Sequence, residues 1–263
     1  MPYVDCGSAQ LYYELAGGED KPWLVLSNSL GTTLHMWDDV LPRLAAEFRV
    51  LRYDMRGHGL SSVPPRPYSL ADLGNDLLSL LDELNISRCH FCGISISGLL
   101  GMCLGIHAPH RVERIILANT ASRIGTEIGW NDRIAQVLQG GTASIADAGM
   151  PRWFTSGFRE HAPQRVAEMR AMMAAISAEG YTGCCATLRD TDQTANLHRI
   201  LTPTLVLSGT FDPATTASDG KALAQRIRGS QYVELPTAHL SPVESPEAFN
   251  SAVLDFLRDR HFE

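Results

Sequence analysis

Seven short extended segments alternate with helical ones along this chain, and that alternation restricts the fold to a mostly parallel sheet wrapped by helices. The pattern predicts strands at residues 11–15, 23–27, 49–53, 88–92, 114–118, 204–208 and 231–235. Between the third and fourth, Ser69 precedes Leu70, Leu73, Leu77, Leu81 and Leu84, with Asp72 three residues on as a capping-box partner, so a leucine-faced helix is expected there. The closing helix has Ser245 as N-cap, Pro246 at its first position, and Phe249, Ala252, Val253, Phe256 and Leu257 on one side. The alternation breaks between about residues 123 and 189, where three or so helices are predicted, with Gly140-Gly141, Pro151 and Gly180 as breaks. Met169, Met172 and Met173 cluster there at helical spacing, either as ordinary packing or as a deformable lining over a site. The domain reading is therefore a core of residues 1–122 and 189–263 with an inserted helical cap at 123–188. A chain of 263 residues is long enough for one large core and such an insertion.

Composition narrows the function. A formal charge of −7 leaves little room for the basic surface that nucleic-acid phosphates need, although one or two local arginines suffice for an anionic small molecule. No run approaches eighteen apolar residues, and the N-terminus lacks the basic and apolar regions of a signal peptide, so a soluble cytoplasmic protein without a membrane partner is expected. Cys6, Cys89, Cys92, Cys103, Cys184 and Cys185 are scattered like small buried hydrophobes. Cys89-His90-Phe91-Cys92 spells C-x-x-C, but it falls on a predicted strand with no second pair at zinc spacing, so no metal and no cofactor is expected.

The segment Cys92-Gly93-Ile94-Ser95-Ile96-Ser97-Gly98 places a serine between a predicted strand and a helix that Pro109 stops. This is the arrangement of a nucleophile elbow, G-x-S-x-G, whose serine is thrust out of a sharp turn. Gly93 fits the pattern; Ser97 stands where the last glycine belongs. Gly98, Gly101 and Gly105 fall on one helix face and would let the backbone lie close to the sheet. The competing reading of Ser95 is a plain turn residue.

A serine hydroxyl needs a base and an orienting acid, in the chain order serine, acid, histidine on this kind of sheet. Asp212 follows the strand at 204–208 and His239 follows the strand at 231–235, both beyond strand carboxyl ends, where open α/β sheets carry functional side chains. Taken singly, Asp212 could serve only an Asp-Pro turn, with Asp219 nearby, and His239 could be one of nine ordinary histidines. Taken jointly, the order and placement point to a triad of Ser95, His239 and Asp212. The oxyanion donors expected beside it are the backbone amides of Ile96 and of Leu30, in the loop Asn28-Ser29-Leu30-Gly31-Thr32.

These residues resemble the α/β-hydrolase superfamily over essentially the whole chain, and Asp54-Met55-Arg56-Gly57-His58-Gly59-Leu60-Ser61 is similar to its D-x-R-G-x-G-x-S segment. The resemblance implies an α/β-hydrolase fold: a mostly parallel central sheet flanked by helices, with the helical cap inserted. A narrower likeness, to the 3-oxoadipate enol-lactonase family, is carried by residues 27–32, Gly180-Tyr181-Thr182-Gly183-Cys184-Cys185, Arg189-Asp190 and residues 209–215. Ser97, Phe211 and Thr216 depart from its pattern. The likeness implies a serine hydrolase that opens 3-oxoadipate enol-lactone to 3-oxoadipate in aromatic catabolism, acting on a small lactone with a free carboxylate. For that carboxylate, Trp130 and Arg133 could offer a wall and a bidentate donor from one helix face, with Arg152-Trp153 as rivals and a solvated surface charge as the plain alternative. Two other functions stay open: another carboxylesterase or carbon–carbon bond hydrolase of this fold, and a ligand receptor without turnover.

Overall fold

The computed structural model describes residues 2–259; residue 1 and residues 260–263, which the sequence reading includes in the core, lie outside the described residues. An eight-stranded sheet runs through the described residues in the order β1-β2-β4-β3-β5-β6-β7-β8. Its strands are β1 (Tyr3–Asp5), β2 (Gln10–Ala16), β3 (Trp23–Ser27), β4 (Arg49–Tyr53), β5 (Cys89–Ile94), β6 (Val112–Ala118), β7 (Thr204–Gly209) and β8 (Gln231–Leu235). β2 pairs antiparallel with β1 and β4, and the pairs from β4 to β8 are all parallel. All seven expected strands form, within a residue or two of their expected ends. β1 was not expected: three residues are too few to display a period of two.

The helices are α1 (Leu41–Ala45), α2 (Leu70–Glu83), α3 (Ile96–His107), five between β6 and β7, then α9 (Ala217–Arg226), α10 (Ser241–Glu244) and α11 (Pro246–Arg258). Ser69 and Asp72 close the capping box of α2 reciprocally, and Leu70, Leu73, Leu77, Leu80 and Leu81 are buried beneath it. Fully burying a leucine is worth about 1.5–3 kcal/mol, so this face holds the helix down even where propensity is indifferent. α3 lies hard against the sheet: a Cβ on Gly101 would approach Leu117 to 2.8 Å, and one on Gly105 would approach Ile115 to 3.0 Å. Ser245 does precede α11, but its hydroxyl makes no capping bond.

The stretch between β6 and β7 holds five helices where about three were expected: α4 (Glu127–Gly140), α5 (Ala143–Trp153), α6 (Ser156–His161), α7 (Pro163–Ala174) and α8 (Ala178–Asp190). Two expected breaks are helical instead. Pro151 sits inside the last turn of α5, and Gly180 lies in the first turn of α8, where the Ser177 hydroxyl accepts its amide. No described helix is long and apolar enough to cross a membrane. The carboxyl ends of β3, β5, β6, β7 and β8 share one edge of the parallel sheet, so the loops after them converge.

Candidate active site

Ser95 occupies the corner between β5 and α3 with φ 60° and ψ −117°, a conformation a non-glycine residue adopts only when its surroundings enforce it. Its amide donates to the Ala118 carbonyl at 3.0 Å, and its carbonyl accepts the Thr120 hydroxyl at 2.8 Å. Contact explains the glycine before it, because a Cβ on Gly93 would stand 2.2 Å from the Ser97 carbonyl oxygen. Ser97 is buried beside the elbow, with its hydroxyl donating to the Asn28 carbonyl at 2.6 Å.

Asp212 follows β7 and divides its two oxygens between two tasks. Oδ1 accepts the amides of Ala214 and Thr215 at 2.8 and 3.0 Å, which is the turn role of an aspartate before proline. Oδ2 accepts His239 Nδ1 at 2.7 Å, the Thr215 hydroxyl at 2.7 Å and Asn119 Nδ2 at 3.2 Å. The turn and the histidine contact therefore coexist. Asp219 is occupied elsewhere, closing a capping box with Thr216 at the start of α9, which also accounts for a threonine at that position. Burial would raise the Asp212 pKa, but the His239 charge and hydrogen bond, with the bonds from Thr215, outweigh it and hold the carboxyl at about 2. An ionised carboxylate only accepts, so His239 Nδ1 carries the proton and Nε2 is left as the basic nitrogen. Ser95 and His239 line one cavity, and no hydrogen bond joins them in this resting arrangement; such contacts commonly tighten only when substrate is bound.

Asn119 and Thr215, which both hydrogen-bond the Asp212 carboxylate, were not picked out from the sequence. Asn119 follows β6 directly at φ 43°, donates to both Asp212 and the Ala238 carbonyl, and accepts the Ser241 hydroxyl at 2.6 Å, tying the Asp212 loop to the His239 loop. The Asp212-to-Thr215 spacing was a usable signal for the threonine; nothing local marked the asparagine.

The loop after β3 presents Leu30, and its amide, like that of Ile96 at the start of α3, meets no protein acceptor among the described residues. Neighbouring peptide planes are held. The Ser29 carbonyl accepts the Thr32 hydroxyl at 2.8 Å, and the Gly31 amide donates to His58 Nε2 at 3.1 Å. Burial pushes the His58 pKa down to about 4, so its ring is neutral and can accept. His58 belongs to the Asp54–Ser61 segment, whose Asp54 accepts the amides of Leu34 and Leu60 and whose Arg56 forks onto Asp76 at 2.6 Å.

The cavity at Ser95 has a volume of about 430 Å³. Trp130 and Arg133 from α4 line it, and so do Arg152 and Trp153 from α5, so both candidate pairs reach the same space. Trp130 gives its indole N–H to the Ile124 carbonyl at 2.6 Å and offers the cavity only its ring. Among the described residues neither arginine forms an ion pair, although fifteen other arginine, lysine or histidine side chains do. Arg133 is half-buried and Arg152 exposed. Of the methionine cluster, Met173 reaches the cavity, Met169 packs in the core and the Met172 sulfur meets the Thr33 amide. Cys89 and Cys92 are free buried thiols, and burial pushes Cys89 up to about 12. A larger open groove of about 870 Å³ lies along β8 and α11 and contains none of Ser95, Asp212 and His239.

The family model for the alpha/beta hydrolase fold matches residues 22–246. The 3-oxoadipate enol-lactonase 2 of Acinetobacter baylyi is 44% identical over 243 residues, covering 92% of this chain and 91% of that protein. Its 3-oxoadipate enol-lactonase 1 is 38% identical over 248 residues, covering 94% and 93%. Among solved structures, an enol-lactonase from Burkholderia xenovorans superposes with a TM-score of 0.97 at 42% identity, covering 98% of this chain and all of that one.

Proposed function

The chain belongs to the α/β-hydrolase family and, within it, to the 3-oxoadipate enol-lactonases, and from that premise we propose that it opens 3-oxoadipate enol-lactone to 3-oxoadipate. The observation that carries the reading at the site is His239, hydrogen-bonded to an ionised, buried Asp212 and lining the same cavity as a serine held on a strained elbow. In this account Ser95 Oγ attacks the lactone carbonyl while His239 Nε2 takes its proton, and Asp212 holds the imidazole and balances its charge. The carbonyl oxygen becomes an oxyanion between the Leu30 and Ile96 amides. Collapse breaks the ring C–O bond, His239 returns the proton, and the enol so released tautomerises to a ketone. Because the ester is cyclic, the leaving group stays tethered in the acyl-enzyme. Water, activated by His239, then attacks the acyl carbon and frees Ser95 and the diacid.

The substrate's carboxylate is assigned to Arg133, with the Trp130 ring as a wall; a half-buried guanidinium with no ion-pair partner among the described residues supports this over the more exposed Arg152. Residues 123–188 act as the cap that excludes water from this chemistry. The protein works in the cytoplasm, in the β-ketoadipate route of aromatic catabolism. The test is turnover of the purified protein on the enol-lactone, followed by loss of ultraviolet absorbance, against short-chain aryl esters and a ring-cleavage diketone. Preference for the lactone supports the proposal; preference for aryl esters or the diketone replaces it with a carboxylesterase or a carbon–carbon bond hydrolase.

A further inference from the structure

The serine at the elbow's last small position makes a connection that glycine there could not. Ser97 Oγ donates to the Asn28 carbonyl at 2.6 Å, and that carbonyl can only accept. Having one proton, Ser97 must then accept from Ser27 Oγ, which lies 2.8 Å away. Ser27, its own proton spent on Ser97, must in turn accept from the Tyr53 hydroxyl at 2.8 Å. Burial raises the Tyr53 pKa and keeps the phenol protonated as the head of the chain. The direction is fixed throughout: Tyr53 on β4, Ser27 on β3, Ser97 on α3, then the Asn28 carbonyl, all four residues buried.

The chain ends on the peptide plane just before the one that carries the Leu30 amide. Asn28 is otherwise secured by its side chain, which donates to the Tyr53 carbonyl at 2.8 Å and accepts the Trp37 indole at 2.8 Å. The next two peptide planes are held by Thr32 and His58. The plane joining Asn28 to Ser29 is the one whose carbonyl is held by α3, the helix that also bears the Ile96 amide.

We infer that Ser97 is a positioning residue that fastens the Leu30 loop to the elbow helix and so sets the spacing between the two oxyanion donors. This rests on Ser95 being the nucleophile, as proposed above. Ser97 does not line the cavity, so its loss acts through geometry and not through contact with substrate.

The experiment measures kcat and KM of wild type, Ser97→Ala, Ser97→Gly and Ser97→Thr on the enol-lactone and on p-nitrophenyl acetate, with inhibition by an alkyl boronic acid that mimics the tetrahedral adduct. Losing an oxyanion donor costs about a hundred- to a thousandfold, so misplacing one by removing Ser97 Oγ is expected to lower kcat by roughly tenfold, with KM within about twofold. Boronic acid affinity should fall in parallel, and Ser97→Thr, which keeps the hydroxyl, should recover most of the loss. If Ser97→Ala and Ser97→Gly fold poorly, Ser27→Ala and Tyr53→Phe provide the same readout further from Ser95, with a smaller drop in kcat expected. Variants with wild-type kcat and wild-type boronic acid affinity overturn the inference while leaving the hydrolase reading intact. A wild-type protein inactive on both substrates removes the premise and the inference with it.

Discussion

At the residue scale the account depends on which groups are charged and which are free. Arg133 has no anionic partner among the described residues, so a substrate carboxylate would be its first. A hydrogen bond to a charged group is worth about 1.5–3 kcal/mol, so Arg133→Ala should raise KM by about ten- to a hundredfold with kcat nearly unchanged. Steady-state kinetics on the lactone checks this, and an unchanged KM transfers the role to Arg152. His58 supports a second prediction. Its ring is neutral in the folded protein, with a pKa near 4 against an ordinary value of 6.5, because burial disfavours the charged form. The unfolded chain therefore binds this proton more readily. The stabilisation is complete above about pH 6.5, declines as pH falls, and is gone by about pH 4, amounting to about 3 kcal/mol at most. Urea unfolding at about pH 7 and about pH 4.5 should show His58→Gln losing less stability on acidification than wild type. Equal losses would contradict it. The positions of Ser95, Asp212 and His239 just past β5, β7 and β8 were legible because the strands that lead to them are plain in the sequence. Asn119 was not, since its partners lie 93 to 122 residues away and its own neighbourhood carries no motif.

At the scale of elements, backbone proximity joins the helices between β6 and β7 to the rest. Gly180 in α8 meets Gly57 of the Asp54–Ser61 segment so closely that a Cβ on Gly180 would stand 2.0 Å from the Gly57 carbonyl oxygen. Both sides are backbone and neither can yield as a side chain would. Gly180→Ala should therefore cost about 1–3 kcal/mol through overpacking, read as a lower urea midpoint at unchanged slope. A midpoint equal to wild type would show that the contact relaxes freely. The same contact explains why Gly180 misled the sequence reading: a glycine in a helix looks like a break until a second backbone is found against it. Pro151 misled it in a related way, since a proline late in a helix can be tolerated where its ring finds room. The strands were legible because their burial is continuous; β3, β5 and β7 are buried almost throughout.

Across the whole molecule, Glu244 links the inserted helices to the histidine loop. One carboxylate oxygen accepts the Thr155 amide at 3.1 Å and the Thr155 hydroxyl, and the other accepts the Ala238 amide at 2.8 Å, next to His239. Glu244→Ala should speed hydrogen exchange at the Thr155 and Ala238 amides while leaving the β7 amides unchanged; uniform acceleration would mean global destabilisation instead. Such a link could not be read from sequence, because 89 residues separate its ends and nothing local marks either as a partner. Beneath all of this lies the claim that Ser95 is a nucleophile activated by the His239–Asp212 pair. Covalent labelling with a fluorophosphonate probe, followed by peptide mass analysis, tests it most directly. The account predicts a single adduct on Ser95, absent from Ser95→Ala and formed far more slowly in His239→Ala. An adduct on another residue, or labelling that persists in Ser95→Ala, would contradict it.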